Sequence, residues 1–324
     1  MIKNILILGG AGYIGSHMVQ FLCDEGYAPV VLDDLSTGKQ VNVNDKAIFY
    51  HGDIADTTLL TEIINKHAIQ CVMHFAASVK VGESVTDPQK YYVNNVVKSI
   101  QMLDVIRKAG VEYVIFSSTA AVYGDQAPAP VNEESPTAPI NPYGESKLMV
   151  EKVLTDYHKA YGLKYAIMRY FNAAGAHESG HIGAFADDCT HLIPSLLKVA
   201  TGKRKSFKLF GDDYDTEDGT CIRDFVHVMD ICKAHLATLN YLENGGESTV
   251  FNVGTGSGFS VKTMVDAACK ITGKDIPVTL EPKRAGDATI LVADSTKLQK
   301  LCGWQMVKSS IDQIVGDAWG CDRS

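Results

Sequence analysis

The 324 residues are 46% hydrophobic and 21% charged, with a formal net charge of −8. This balance suits a globular chain with ample core and argues against a dedicated nucleic-acid surface. No apolar run approaches the ~20 residues that span a bilayer, and Ile5-Leu6-Ile7-Leu8 runs straight into a glycine turn rather than into a leader's cleavage site.

The densest basic run, Lys203-Arg204-Lys205, is short and reads as a solvated helix end or loop. Eight cysteines are scattered without a Cys-x-x-Cys pair, as expected of free thiols in a reducing, cytoplasmic setting. His177 and His181 have a four-residue spacing that holds zinc on a helix. Glu178-Ser179-Gly180 between them is loop composition, so no metal is expected.

Lys3 to Leu8 reads as an apolar strand and passes at once into Gly9-Gly10-Ala11-Gly12-Tyr13-Ile14-Gly15. A helix to about Glu25, stopped at Gly26, and a strand from Pro29 to Leu32 follow, closed by Asp33-Asp34. Gly9, Gly12 and Gly15 permit a tight turn, close approach of a pyrophosphate to the backbone, and close packing of helix on sheet; the helix N-terminus then faces the phosphates. Asp33 can accept hydrogen bonds from a ribose 2′-hydroxyl and repels a 2′-phosphate, which favours NAD over NADP. Glycines alone can simply end a strand. Strand, turn, helix and acid at these distances together make the dinucleotide reading.

The alternation continues through strand Ala47 to His51, Gly52-Asp53-Ile54, helix Thr57 to His67 and strand Cys71 to Phe75. One long helix is predicted from Pro88 to Ala109. Strand Tyr113 to Phe116 then runs into Ser117-Ser118-Thr119, and a helix from Pro142 to about Ala160 precedes strand Tyr165 to Tyr170. Repeated βα units with apolar strands predict an α/β fold with a doubly wound, Rossmann-like parallel sheet. Ligands of such sheets sit at the carboxyl ends of strands, where Gly9 to Gly15, Asp53, Ser117 to Thr119 and Asn172 fall.

Tyr143 and Lys147 share one face of the helix after the Ser/Thr strand, four residues apart. A phenol titrates near 10 in isolation, and a neighbouring cation favours its ionised form, the property a general base needs. Taken alone, the pair reads as an ordinary surface i,i+4 neighbour pair.

After Asn172 the rhythm loosens. Residues 173–188 read as loop, His191 opens a helix to about Thr201, and Phe207 to Phe210 is a short strand before an acidic loop. Helix Met229 to Leu242, strand Val250 to Val253, helix Val261 to Ile271, strand Val278 to Glu281 and two short terminal helices follow. The chain thus divides into a dinucleotide domain, 1–175 with a return segment at about 228–272, and a smaller α/β domain formed by 176–227 and 273–324.

Gly9 to His17, His74-Phe75-Ala76-Ala77, Gly82-Glu83-Ser84-Val85, Tyr91-Tyr92-Val93-Asn94-Asn95 and Ser117 to Gly124 together resemble the extended short-chain dehydrogenase/reductase family, in particular its sugar-nucleotide 4-epimerases. Arg169-Tyr170-Phe171-Asn172, Thr216-Glu217-Asp218-Gly219-Thr220 and Arg223 to Val228 carry the resemblance through the second half, so it covers essentially the whole chain. It implies reversible inversion of C4 between UDP-galactose and UDP-glucose through a 4-keto sugar, with NAD retained. Tyr143 would exchange the proton of the 4-hydroxyl, Lys147 would lower the Tyr143 pKa and hold the nicotinamide ribose, and Thr119 would bond the 4-oxygen with Ser118 beside it.

The resemblance implies cofactor contacts from Gly9, Gly12, Tyr13, Ile14, Gly15, Asp33, Asp34, Asp53, Ile54, Phe75, Ala76, Ala77, Asn94, Ser117, Tyr143, Lys147 and Tyr170. On the substrate side it implies Arg223 and Arg284 at the diphosphate, Asp287 at the uridine ribose, and Asn172 near the phosphate or sugar. Lys208 to Phe210 would lie along the uracil, with His191 and Leu192 nearby. Without the resemblance, Arg223 reads as a surface ion-pair partner of Asp224.

Three positions depart from the pattern. His191 stands where some members carry Asn, Val79 where some place a cofactor-contacting Lys, with Lys80 pointing elsewhere if that segment is extended, and Leu291 is intermediate at a gate for 2-acetamido sugars. A 4,6-dehydratase needs acid and base carboxylates just after the Ser/Thr strand, where Ala120 and Ala121 stand. A 4-epimerase of UDP-N-acetylglucosamine, UDP-glucuronate or UDP-xylose and an idle NAD-binding regulator are the rival readings. A homodimer is expected from the resemblance and from the apolar faces of the Pro88 and Pro142 helices, unless both faces are buried against the sheet.

Overall fold

The computed structural model describes residues 2–125, 127–183, 191–284 and 288–322. Six strands come in the first half: β1 (Ile5–Leu8), β2 (Val30–Asp33), β3 (Ile48–His51), β4 (Cys71–His74), β5 (Tyr113–Thr119) and β6 (Lys164–Tyr170). Between them run α1 (Tyr13–Asp24), α2 (Thr57–His67), α3 (Val81–Thr86), α4 (Pro88–Tyr91), α5 (Lys98–Lys108) and α6 (Pro142–Tyr161). The second half adds strands β7 (Asn172–Ala174), β8 (Phe207–Phe210), β9 (Ile222–His227), β10 (Thr249–Val253), β11 (Gly258–Ser260), β12 (Val278–Glu281) and β13 (Ile290–Leu291). Its helices are α7 (Leu192–Ala200), α8 (Val228–Glu243), α9 (Val261–Thr272), α10 (Thr296–Cys302) and α11 (Ile311–Asp322).

The main sheet is parallel throughout, in the order β10-β6-β5-β4-β1-β2-β3. Its central strands are apolar at consecutive positions because helices cover both faces. On one face, Met18 and Leu22 of α1 and Ile231 and Leu239 of α8 pack on Ile5, Ile7 and Met168. On the other, Ile63 of α2, Ile106 of α5 and Leu154 of α6 pack on Leu6, Leu8 and Val114. The order reverses between β1 and β4, and the cavity opens at the carboxyl ends there.

Local chemistry sets the helices that matter most. Asn141 caps α6 through its Oδ1 to the Gly144 amide at 2.9 Å, Pro142 occupies the first turn, and Gly162 ends the helix at φ +76°. α1 begins at Gly12 with no side-chain cap, which leaves its first-turn amides for a ligand.

The second lobe is built on β9, which pairs with β11 antiparallel and with β7 and β13 parallel. A parallel pair of β8 and β12 lies beside it. Leu196 of α7, Met264 of α9 and Ile314 of α11 form its core.

Three expectations change. The single helix predicted from Pro88 is α4 and α5 joined by a π-helical turn at Tyr92–Val97, the widened geometry that often marks functional sites. α9 packs with α7 and α11, so of the expected return segment α8 and β10 join the main sheet and α9 does not. β5 runs on to Thr119, which decides where each hydroxyl at its end points.

Candidate functional site

One cavity of 2340 Å³ runs from the glycine turn to the second lobe. It is larger than the roughly 300–1,000 Å³ of an ordinary small-molecule pocket and has room for two nucleotide-sized groups. Its wall includes every site residue expected from the sequence except Asp287, which lies outside the described residues.

The glycine turn fits a dinucleotide for a measurable reason. A Cβ on Gly9 would lie 2.5 Å from the Ala76 nitrogen, and one on Gly15 would lie 2.1 Å from the Gly9 carbonyl. Side chains are therefore excluded where strand, turn and helix meet. Asp33 is buried at the end of β2; it accepts the Ala11 amide at 2.9 Å and the Leu35 amide at 2.8 Å. Burial pushes its carboxyl pKa up against those two bonds. Asp34 accepts the Ser36 amide at 2.9 Å.

At the next strand end Asp53 pairs with Lys98 at 2.5 Å. Against the cost of burial, the Lys98 and Ala55 bonds hold that carboxyl below its usual range. Ile54 is buried beside it, and Asn94, in the π turn, donates to the Ser78 hydroxyl at 3.2 Å. Tyr170 bonds His235 at 2.5 Å and the Ser117 hydroxyl, and Phe75 stacks on the same imidazole with centroids 4.9 Å apart. Burial lowers the His235 pKa to about 4, so its neutral ring accepts from Tyr170 and donates to the Ile231 carbonyl at 2.9 Å.

At the centre, α6 brings Tyr143 and Lys147 to the end of β5. The Tyr143 hydroxyl bonds the Thr119 hydroxyl, whose oxygen also accepts the Ala121 amide at 3.1 Å. Lys147 is buried; its Nζ donates to the Ser117 carbonyl at 2.9 Å and lies 4.9 Å from the Phe116 ring centroid. Burial pulls the Lys147 pKa down to about 7, with Glu151 opposing the fall.

One expectation changes here. Burial raises the Tyr143 phenol and the Thr119 bond lowers it, leaving a net rise, so the protein's own groups favour the neutral phenol. Ser118 lines the cavity beside Thr119, but successive side chains of a strand alternate and its buried hydroxyl is turned to Glu151, to which it donates.

On the second lobe the same alternation separates Arg223 from Asp224. Asp224 is buried and accepts Thr255, Gly256 and Ala293 amides, while Arg223 lies on the cavity wall with its Nη1 donating to the Ile222 carbonyl at 2.9 Å. Arg223 therefore does not pair with Asp224. Arg284 lies 3.6 Å over the Phe210 ring, and Lys208 pairs with Glu281 at 2.9 Å.

Asn172 donates to the Asp224 carbonyl at 3.0 Å, tying β7 to β9. His191 heads α7, next to Leu192, and enclosure by the cleft lowers its pKa. Leu291 is paired with Arg223 across β13 and β9. Val79 and Lys80 both line the cavity just before α3.

Sequence reasoning missed Lys98, His235, Glu151 and Arg169. Glu151 carried a signal, one turn beyond Lys147 on the same helix face. Arg169 stood in the Arg169-Tyr170-Phe171-Asn172 motif without a role, and Lys98 and His235 are brought in from distant elements and had no signal. Among the described residues no group of three or more His, Cys, Asp or Glu is placed to hold a metal, and no helix is long and apolar enough to cross a membrane.

A parallel sheet with a glycine-lined dinucleotide turn and a half-buried tyrosine one helical turn from a buried lysine defines an NAD-dependent short-chain oxidoreductase-type site. The chain belongs to the NAD dependent epimerase/dehydratase family, whose model matches residues 5–254. It is 47% identical to a UDP-glucose 4-epimerase of Halalkalibacterium halodurans, over 97% of this chain and 94% of the relative. The crystal structure of a UDP-glucose 4-epimerase from Brucella ovis in complex with NAD matches with a TM-score of 0.95 and 45% identity, covering 98% of this chain and 97% of that one. The UDP-Glc/GlcNAc 4-epimerase of Campylobacter jejuni matches with a TM-score of 0.87 and 44% identity, covering 99% of both chains.

Proposed function

We propose that this chain interconverts UDP-galactose and UDP-glucose by inverting C4 through a 4-keto sugar. The observation that carries the reading is the convergence of Tyr143, Thr119 and Lys147 at the middle of a cavity with a dinucleotide turn at one end and arginines at the other. NAD, when bound, supplies the hydride acceptor and donor and a positive charge. Tyr143 accepts the proton of the 4-hydroxyl and returns it after the ketone is reduced on its other face. Thr119 donates to the 4-oxygen and keeps the phenol oriented. Lys147 spends one N–H on the Ser117 carbonyl and offers its remaining donor capacity to the site.

The first-turn amides of α1 and the Asp33 carboxylate would hold the cofactor. Arg223 and Arg284 would hold the diphosphate, since a guanidinium fork matches phosphate geometry. Because the sugar that leaves is at the same oxidation level as the one that enters, the cycle consumes no NAD. Asp33 at the ribose position supports NAD over NADP.

A wider range at C2 is the second reading. It is supported by the likeness to the Campylobacter jejuni enzyme and by the intermediate size of Leu291. We also infer a homodimer: Val97 of the π turn and Ile100 of α5 are exposed outside the cavity. Light scattering of the purified protein tests the dimer. Turnover of UDP-galactose by a Tyr143→Phe protein tests the chemistry, and wild-type activity in that variant would remove Tyr143 from the reaction.

A further inference from the structure

The densest basic run of the sequence, Lys203-Arg204-Lys205, has no part in the function proposed above. In the fold it forms the turn between α7 and β8. Gly202 turns the chain at φ +74°, the Arg204 amide donates to the Lys198 carbonyl at 2.9 Å, and the buried Phe207 opens β8. The turn is thus set without using the Arg204 or Lys205 side chain. Both of these residues line the cavity, and Lys203 does not.

The charge of the cavity wall is divided between the lobes. Among the described residues, five lysines and five aspartates or glutamates line the half built from the first lobe, so that half is formally balanced. The half built from the second lobe carries Arg204, Lys205, Lys208, Arg223 and Arg284 and, among the described residues, no acid. A chain of net charge −8 therefore presents a cationic wall where a nucleoside diphosphate is proposed to sit.

These five cations differ in what holds them. Lys208 pairs with Glu281 at 2.9 Å, Arg223 donates to the Ile222 carbonyl at 2.9 Å, and Arg284 lies 3.6 Å over the Phe210 ring. Arg204 and Lys205 are exposed, and among the described residues no ion pair or ring contact engages either side chain. A long exposed side chain gives up rotamer freedom when it is pinned, so such a residue gains little from a single contact. Its charge acts without being pinned. A cleft wall of one sign, backed by low-dielectric protein, raises the local concentration of an oppositely charged ligand.

We propose that Arg204 and Lys205 are a steering pair, a cationic rim whose field draws the nucleoside diphosphate into the second lobe while other residues hold it. This deepens the function proposed above and rests on it for the identity of the anion. The competing role for two cations just past the last turn of α7 is to offset the partial negative charge of that helix end. That role acts on stability and leaves ligand binding alone.

The test is calorimetric titration of the NAD-loaded protein with UDP, which binds without reacting. Arg204→Gln/Lys205→Gln should weaken UDP binding roughly three- to ten-fold at about 10 mM salt, where charges act over about 30 Å. At about 1 M salt, where the range is about 3 Å, the variant should match the wild type. Uridine carries no charge and, measured by displacement of UDP, should bind both proteins alike at either salt. Lys274→Gln/Lys300→Gln removes the same charge from exposed positions outside the cavity and should leave UDP binding at the wild-type level. In UDP-galactose turnover at low salt, Arg204→Gln/Lys205→Gln should raise KM in step with the loss of UDP affinity while kcat holds.

Equal UDP affinity of Arg204→Gln/Lys205→Gln and wild type at low salt overturns the proposal, and a lowered melting temperature alongside it assigns the pair to the helix end. A loss that persists at about 1 M salt, or one shared by uridine, also overturns it, because a screened field causes neither. The titrations need no turnover. Failure of UDP-galactose inversion would refute the proposed function, and the steering pair would still be judged by UDP binding.

Discussion

Replacing Gly15 with alanine separates a glycine needed for close approach from a glycine tolerated in a helix. Gly15 lies in α1 with an ordinary helical backbone, where alanine is favoured by about 1 kcal/mol. Yet its Cβ would lie 2.1 Å from the Gly9 carbonyl oxygen and 2.9 Å from the Gly10 Cα, against 3.4–4 Å for ordinary contact. All these atoms are backbone, so no rotamer change relieves the clash and the turn must part by more than an ångström. Two first-turn amides then lose their reach to the diphosphate. At about 1.5–3 kcal/mol for each charge-assisted bond, NAD affinity should fall by roughly 10²–10⁴-fold. The assay is NAD content after purification, followed by calorimetric titration of the stripped protein. Gly316→Ala is the control: it sits in α11 with open space around its Cβ, and should stabilise the fold by up to ~1 kcal/mol. Gly15→Ala protein that holds NAD at wild-type affinity would refute the close-approach account.

Tyr143→Phe should lower epimerisation by about 10²–10⁴-fold while NAD content, read from absorbance, stays at the wild-type level. Lys147→Met should destroy activity yet stabilise the cofactor-free protein near neutral pH. The unfolded chain keeps this ammonium protonated to about 10 and the folded one only to about 7. Between those values the unfolded state binds more protons, so stability rises with pH and the burial penalty is greatest below about 7. Allowing for the lost bond to the Ser117 carbonyl, the variant should gain about 1–3 kcal/mol in urea unfolding at neutral pH, and the gain should fade towards pH ~10; a gain independent of pH would contradict the buried-cation picture. Leu291→Ala should raise kcat/KM for UDP-N-acetylgalactosamine relative to UDP-galactose, and an unchanged ratio would free Leu291 of any role at C2.

Much of the first lobe was legible because its signals are local. The strand, Gly9-to-Gly15 turn, helix and Asp33 sit within one βαβ unit, and Tyr143 and Lys147 lie one helical turn apart, so spacing alone placed them together. The second lobe was not. β9 reads Ile-Arg-Asp-Phe-Val-His with no clean alternation, since its residues answer to β7, β11 and β13, which are short and distant in sequence. α9 has a normal helical pattern, but nothing in it says which core receives its apolar face. β5 extends past Phe116, and the side to which each hydroxyl at its end points, Ser118 towards Glu151, follows from that extension. Arg169 and Glu151 find each other only through tertiary packing, as buried ion pairs between elements do.

The most direct test of the account is to incubate purified protein with UDP-galactose, without added NAD, and follow C4 by NMR. The account predicts inversion to UDP-glucose, sustained for many turnovers by cofactor retained from expression. A parallel sample with UDP-N-acetylgalactosamine shows whether Leu291 admits the larger C2 group. Absence of inversion with UDP-galactose, even after NAD is supplied, would contradict the proposed reaction at its centre.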